Sequence, residues 1–453
     1  MNKMQKLALS YVVILCIFLY GYGVGRFQLP PYAQIEPLVQ DFQAFAKGDA
    51  TEKKTSVLEK LKNDLGISPE RWIHPYPPAA VEGAAAADYP AFTRRAEPPY
   101  VFIDPNYATG YRVVAGVMNL PEHLWGALLV DASGAVIHDW KLTTLHLKDE
   151  VEGHVEAMYG THVFPDGSII FNMQEYSGGL VKVDACSNVV WNLKGQFHHA
   201  VQPDEHGYFW TFQGSQLAFD QNLARISVET GEIERVIDMR DVRAANPDLH
   251  IWHLQDDSFK DVKRMKESGN MTHGNAVSPL PSYLVDKFPG FSADDLAISY
   301  ATTNLVFVLD PNTLEVKWWR IGMWGFQHDP DWEPDGRLVI YSNNRRAGPD
   351  AFSSIVAIRP SNHEAEVIYR GDAVGFDSDT NGRHQLTNLG TRMITSSRQG
   401  WAFEVDEDDD IVFSFVNNVD IEKRRAMFLS SAWHFDEDYF EDAFWERCEQ
   451  SPQ

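Results

Sequence analysis

Five short elements combine histidine with a place at the start of a strand-like run. They are Thr161-His162, His198-His199, Thr272-His273-Gly274-Asn275, Gln327-His328 and Arg383-His384, drawn from 16 histidines in the chain. Imidazole ligates transition metals, moves protons near neutral pH and, when neutral, attacks electrophiles. A metal site would gather three or four histidines with carboxylates that neutralise the ion. Covalent or acid–base work on an anion would instead set one neutral histidine among donors such as His, Asn or Arg. His273 and Asn275 share one strand end, and Gly274 lets the backbone come close. That pairing leans toward an anion.

For these elements to converge, the chain must bring distant strand ends together. One pattern recurs from about residue 100: an apolar strand, a tight turn, then an apolar strand often ending in an aromatic residue. It runs from Ala127 to Trp140, Leu180 to Trp191, Leu223 through Gly231, Leu305 to Trp318, Ile355 to Tyr369, and Ala402 to Phe413. The spacing is about 40 to 50 residues, with one longer gap, which is the length of a four-stranded propeller blade. Six copies predict an all-β, six-bladed β-propeller over 100–420. The first strand of each blade would line a central channel, and the five histidine elements would ring its mouth, the default ligand site of such a fold. The stretch from Gln327 to Tyr341 shows the local logic. After His328, Pro334-Asp335-Gly336 fixes a turn, because Pro presets φ and Gly supplies positive φ.

Ahead of the propeller, residues 7–25 (LALSYVVILCIFLYGYGVG) are apolar and uncharged, with Lys3 and Lys6 before them. The run predicts an uncleaved transmembrane signal-anchor, with residues 1–6 cytoplasmic and the rest of the chain outside. Residues 26–99 predict a short helical stalk and a Pro/Ala-rich extended linker. Residues 421–453, rich in Trp and Phe, predict a C-terminal element packed on the propeller. Cys186 and Cys448 are candidates for a disulfide or for two free thiols. A net charge of −25 argues against a nucleic-acid partner. No Gly-x-Gly-x-x-Gly, P-loop or Gly-x-Ser-x-Gly is present, so nucleotide or serine-hydrolase chemistry has no support in the sequence. The preferred reading takes no cofactor and no metal, and a metal-dependent enzyme using the histidine ring stands as a third reading. Glu407–Asp410 reads as a solvated turn. Oligomeric state is not legible.

Taken together, His273-Gly274-Asn275, Gln327-His328-Asp329 running to Pro334-Asp335-Gly336, His198-His199, Gly178 to Asp184 and Ser397 to Val405 resemble the bacterial arylsulfate sulfotransferases and their arylsulfotransferase-like relatives, over roughly 105–420. The resemblance implies a six-bladed propeller. It also implies transfer of a sulfuryl group from an aryl sulfate to a phenol through a sulfated histidine, without a nucleotide sulfate donor. Location would be the periplasmic side of the inner membrane. In that light His328 matches the nucleophile, His273 and Asn275 the sulfate-contacting pair, and His199, with His198 beside it, a further sulfate ligand. Tyr159, Phe197, Trp324 and Phe326 flank these elements as candidate stacking surfaces. One departure stands out. Ala301 occupies the position where the family commonly has Arg, and Ala cannot replace a guanidinium on a tetrahedral oxyanion. Arg345, Arg346, Arg383 and Arg398 are the candidates to reach in from neighbouring blades, with His384 beside Arg383. The alternative is a propeller that binds a ligand without turnover.

Overall fold

The computed structural model describes residues 72–82, 94–95, 99–120, 123–142, 157–173, 178–214, 221–251, 273–345 and 351–447. All lie in the compact unit Leu61–Gln453. Six antiparallel sheets follow one another, each a meander of neighbouring strands. Their first strands are labelled here: β1 (Thr161–Val163), β2 (Phe197–Pro203), β3 (Gly274–Pro279), β4 (His328–Trp332), β5 (Arg383–Leu386) and β6 (Leu429–Phe435). The sheets begun by β1 to β4 have four strands in sequence order. The sheet begun by β5 continues outward through Ile411–Val416 and adds Tyr100–Ile103 and Arg94–Arg95. The last sheet joins the two ends of the described chain: β6 pairs with Tyr111–Leu120, followed by His123–Val130 and Val136–Lys141. First strands of successive sheets from β1 to β6 pack side by side. This is a propeller-like, all-β architecture. Each of the six recurring segments opens on the third strand of a sheet and runs toward the fourth.

Burial explains why these segments read as strands. In the third strand of the β3 sheet, Leu305, Phe307 and Leu309 face one neighbouring sheet while Val306 and Val308 face the other. Two-sided packing demands a continuous apolar run. The outer strands cover only one face, and Val189–Lys194 accordingly alternates half-buried and exposed residues. The core is thus a series of wedges between adjacent sheets. The Pro-Asp-Gly turn forms as expected: Gly336 has φ 81°, and its N–H bonds the Glu333 carbonyl at 3.0 Å.

At the chain closure a buried ion pair spans two sheets. Arg112 Nε meets Glu404 Oε1 at 2.9 Å, with neither side chain exposed. Thr391 Oγ1 also donates to Glu404, and His434 Nδ1 lies 3.2 Å from it. Burial alone would raise the Glu404 pKa, but Arg112 and His434 bring it down to about 2.

Two expectations about the flanks change. The Pro/Ala stretch is not a bare extended linker: Ile73–Pro75 pairs with Arg425–Met427, a short helix spans Ala79–Glu82, and Trp72, Tyr76 and Ala80 are buried. The segment after 420 does more than pack on the outside, since β6 completes a sheet. Aromatic residues at Phe440 and Phe444 do pack back, on Tyr111 and Trp140. The proposed anchor at 7–25 and the stalk helices at 36–65 lie outside the described residues. Among those described, no helix is long and apolar enough to cross a membrane. Cys186 is disulfide-bonded, and its partner lies outside the described residues.

Candidate active site

Three neighbouring inner strands share one irregularity. Register slips between His198 and Gln202 on β2, between Gly274 and Ala276 on β3, and between His328 and Asp331 on β4. At each place a non-glycine residue takes left-handed backbone: His199 at φ 59°, His273 at 49° and Asp329 at 51°. Such bulges re-aim side chains and cost about 1–3 kcal/mol each, so surrounding bonds must hold them. Those bonds are present. Asn172, from the strand next to β1, donates Nδ2 to the His199 carbonyl at 2.7 Å and accepts the Gly160 N–H. Gly160 must be glycine, because a Cβ there would meet the His199 carbonyl oxygen at 1.6 Å. The Gly274 N–H is held by Gln221 Oε1 at 2.6 Å. The buried Gln327 amide donates to Ser299 Oγ and the Leu305 carbonyl, docking the approach to His328 onto the β3 sheet.

His328, Asp329, His199, Asn275, Tyr159 and Arg383 line one cleft with about 460 Å³ of empty space that opens to solvent. His328 is buried, and its Nδ1 lies 2.7 Å from Asn343 Oδ1. The Asn343 amide nitrogen is committed to two carbonyls, Ser378 and Asn381, both at 2.6 Å. Its oxygen must therefore face His328 and accept, which places the imidazole proton on Nδ1 and the lone pair on Nε2. Among the described residues Nε2 has no hydrogen-bond partner. Burial depresses the His328 pKa to about 4, aided by His273 and Arg345 and opposed by the Asn343 bond. At neutral pH the ring is uncharged, with a fixed tautomer.

The other histidines divide by position. His199 stacks on Tyr159, with centroids 5.6 Å apart, and its ring lies 5.0 Å from that of His273. Burial and the neighbouring histidines hold its pKa well below the ordinary value. His198 does not line the cleft: it stacks on Phe212, and its Nδ1 sits 2.7 Å from His199 Nδ1. One ring must donate to the other, so the pair orients itself as two neutral imidazoles. His273 is half-buried, its pKa brought down to about 4 by burial and Arg345. Asn275 donates to the Gln327 carbonyl at 2.7 Å, bracing the residue before His328, and its Oδ1 has no partner among the described residues. His384 is a strut rather than a cleft residue: Nε2 donates toward the Asp329 and Val339 carbonyls and Nδ1 faces Arg392. His162 sits against Phe164 and Trp433.

Ala301 is fully buried in a short turn, its N–H on the His273 carbonyl. Two guanidinium groups stand nearer the cleft. Arg383 lines it, with contacts no shorter than 3.4 Å to Gln202, Thr161 and Asp329. Arg345 lies over the Phe326 ring at 4.6 Å, and that ring is 5.6 Å from His273 and 6.1 Å from His328. Arg398 instead pairs with Asp379 at 3.3 Å and does not line the cleft, and Arg346 lies outside the described residues. Of the aromatic candidates, Tyr159 and Phe326 flank the histidines, while Phe197 and Trp324 belong to the core.

Asp329, Asp331 and His384 each place one ligand-type atom within 4.8 Å of the others. Arg392 Nη1 stands 3.2 Å from His384 Nδ1, and Arg383 Nε 3.5 Å from Asp329 Oδ1. Guanidinium groups already occupy the places a cation would need. Asn343, Asn172 and Gln221 escaped the reading of the sequence, and Asp329 entered it only as part of the motif at His328, with no role of its own. None carries a spacing signal, though Asp329 adjoins His328 and Asn343 ends the strand that follows the Pro-Asp-Gly turn.

Comparison with solved structures finds distant similarity in fold. A protein of unknown function from Bacteroides caccae matches at TM-score 0.46 and 9% identity, over 72% of this chain and 98% of its own. TolB from Acinetobacter baumannii matches at TM-score 0.38 and 8% identity, over 70% of this chain and 66% of its own. Virginiamycin B lyase from Staphylococcus aureus matches at TM-score 0.35 and 8% identity, over 56% and 69%. No curated protein matches. The family model described as arylsulfotransferase (ASST) matches residues 160–418, a span that holds the cleft histidines, Asn275, Asn343 and Arg383. With that match over more than half its length, the chain belongs to the arylsulfotransferase (ASST) family.

Proposed function

We propose that the protein transfers a sulfuryl group from an aryl sulfate to a phenol through a sulfated His328, in a six-bladed propeller whose channel mouth is the cleft. The observation that carries this reading is the buried, unpartnered Nε2 of His328, its lone pair aimed by the Asn343 bond to Nδ1. In the first half-reaction Nε2 attacks sulfur and the aryloxide leaves. In the second a phenol oxygen attacks the sulfohistidine, and the N–S bonding pair returns to Nε2. Sulfuryl transfer, like phosphoryl transfer, places charge on peripheral oxygens, so catalysis is mainly positioning and electrostatics. His199, His273 and Asn275 surround that position, and Arg383 and Arg345 supply positive charge. The loose contacts of Arg383 leave its fork free to turn toward an anion. Tyr159 and Phe326 offer faces to the aryl ring. The protein acts outside the cytoplasm, anchored by residues 7–25; the disulfide at Cys186 supports an oxidising compartment.

The test is intact-mass spectrometry after mixing with 4-nitrophenyl sulfate. One sulfuryl group should add to the wild type and none to His328→Asn, while a label that persists on that variant sinks the assignment. A second reading, ligand binding without turnover, is favoured by Ala301 alone. It predicts no label on the wild type.

A further inference from the structure

Asp329 follows His328 directly, yet both residues line the same cleft. A regular strand would send them to opposite faces. The register slip between His328 and Asp331 and the left-handed backbone of Asp329 undo that alternation. The unfavourable conformation is held in place from β5: Asp329 Oδ2 accepts the His384 N–H at 2.8 Å, and the Asp329 carbonyl accepts from His384 Nε2 at 3.0 Å. Among the described residues the other carboxyl oxygen pairs only with Arg383 Nε, at 3.5 Å. The carboxyl group thus sits beside Arg383, itself a cleft residue, and is loosely paired on one oxygen.

We propose that Asp329 is the catalytic carboxyl that moves the proton, and that the acceptors served are phenols too weakly acidic to be ionised at working pH. The proposal rests on the His328 reading above. In the first half-reaction His328 Nε2 forms the N–S bond and the S–O(aryl) bond breaks with its electron pair on oxygen. The Asp329 carboxylic acid gives that oxygen its proton, and a neutral phenol leaves. In the second half the Asp329 carboxylate takes the acceptor's hydroxyl proton as the new S–O bond forms and the N–S pair returns to Nε2. Asp329 ends protonated, as it began, and no other reactant is needed.

The surroundings suit a carboxyl that carries a proton. Burial raises the Asp329 pKa, against the pull of Arg383 and the His384 N–H. Asp331, two residues on, is raised further by burial and by Asp329. Besides these, the charged and titratable groups around the pair are His328, His384, Glu333 and Arg392.

The experiment compares Asp329→Asn with wild type in full-length protein, using 4-nitrophenyl sulfate as donor and two acceptors at pH 8. One is phenol, un-ionised; the other is pentafluorophenol, ionised. The rate ratio of phenol to pentafluorophenol should fall by about 10²-fold or more, the usual worth of general acid–base catalysis. Asp329→Glu keeps a carboxyl and should hold that ratio within about tenfold of wild type, which also serves if the Asn variant fails to fold. Equal losses on both acceptors, or a Glu variant whose ratio collapses, overturn the role of Asp329. A wild type that takes no label on His328 overturns the reading beneath it, and the two failures are thereby distinguished.

Discussion

Asn343 offers the sharpest test of how the cleft would prepare His328 as the proposed nucleophile. Asn343→Leu keeps the volume but removes the oxygen 2.7 Å from His328 Nδ1. It also deprives the Ser378 and Asn381 carbonyls of their donor. An unpaired buried donor costs about 1–3 kcal/mol, so the Nδ1–H tautomer loses its preference by that amount. The lost preference alone halves the population with its lone pair on Nε2. In the proposed step, however, the ring turns cationic as Nε2 bonds sulfur, and a hydrogen bond to a charged group is worth about 1.5–3 kcal/mol. At about 1.4 kcal/mol per decade the step therefore slows roughly 10- to 100-fold. Asn343 does not line the cleft. The loss should therefore fall on the rate of His328 sulfation at saturating aryl sulfate, with KM shifted less than about threefold. Single-turnover quench followed by intact-mass spectrometry reads that rate, and a thermal melt confirms that the variant is folded at the assay temperature. Asn343→Asp retains an acceptor at Nδ1 and should keep more of the rate than Leu does. A folded Leu variant that sulfates His328 at the wild-type rate, or one whose defect lies in KM, refutes the tautomer argument.

Other outcomes follow from the same contacts. Gly160→Ala drives a Cβ onto the His199 carbonyl oxygen, 1.6 Å away. The His199 bulge must shift, so kcat/KM should fall by about 10²-fold or more, as expected when a positioning contact moves on the ångström scale; activity within threefold of wild type would show that His199 is not held by this contact. Arg112→Met strands Glu404 in the core and should cost about 3–5 kcal/mol in urea unfolding. The double change Arg112→Met with Glu404→Leu should recover much of that, and a single change costing under about 1 kcal/mol contradicts the clamp. Acid should destabilise the fold through its buried neutral histidines. Burial lowers His198 to about 3 and His328 to about 4, below the unfolded value of about 6.5. The unfolded chain binds protons below pH ~6.5 and the native state does not, so the stability these groups contribute is present above that pH and lost as pH falls toward 4. Each group accounts for roughly 3 kcal/mol by pH 4, so the urea midpoint should drop steadily from pH 6.5; a flat midpoint between pH 7 and 5 would contradict it.

The architecture was legible because its signals are local and repeated. Each apolar run that ends near an aromatic residue became the third strand of a sheet, since two-sided packing needs uninterrupted apolar sequence whatever the rest of the chain does. The flanks were less legible. Leu429–Phe435 pairs with Tyr111–Leu120, a contact across more than 300 residues that no periodicity announces. Ile73–Pro75 reads as linker by composition, yet its strand partner is Arg425–Met427.

The site was half legible, and the division has a physical cause. Histidines mark themselves by type, and their place at strand starts gave a common location. Their differences did not show. His198 and His199 are neighbours in sequence, but a left-handed residue sends one toward Phe212 and the other into the cleft. The arginine expected at 301 is absent, yet Arg383 reaches the cleft from another sheet, a relation only the ring of inner strands creates. The asparagines were invisible for a deeper reason. Asn172 and Asn343 act by holding a carbonyl or a ring in one orientation, so their importance lies in partners 27 and 15 residues away rather than in any motif. Residues that touch a substrate can be guessed from their chemistry. Residues that aim them can be found only once the backbone bulges are seen, because the bulge creates the need that the asparagine meets.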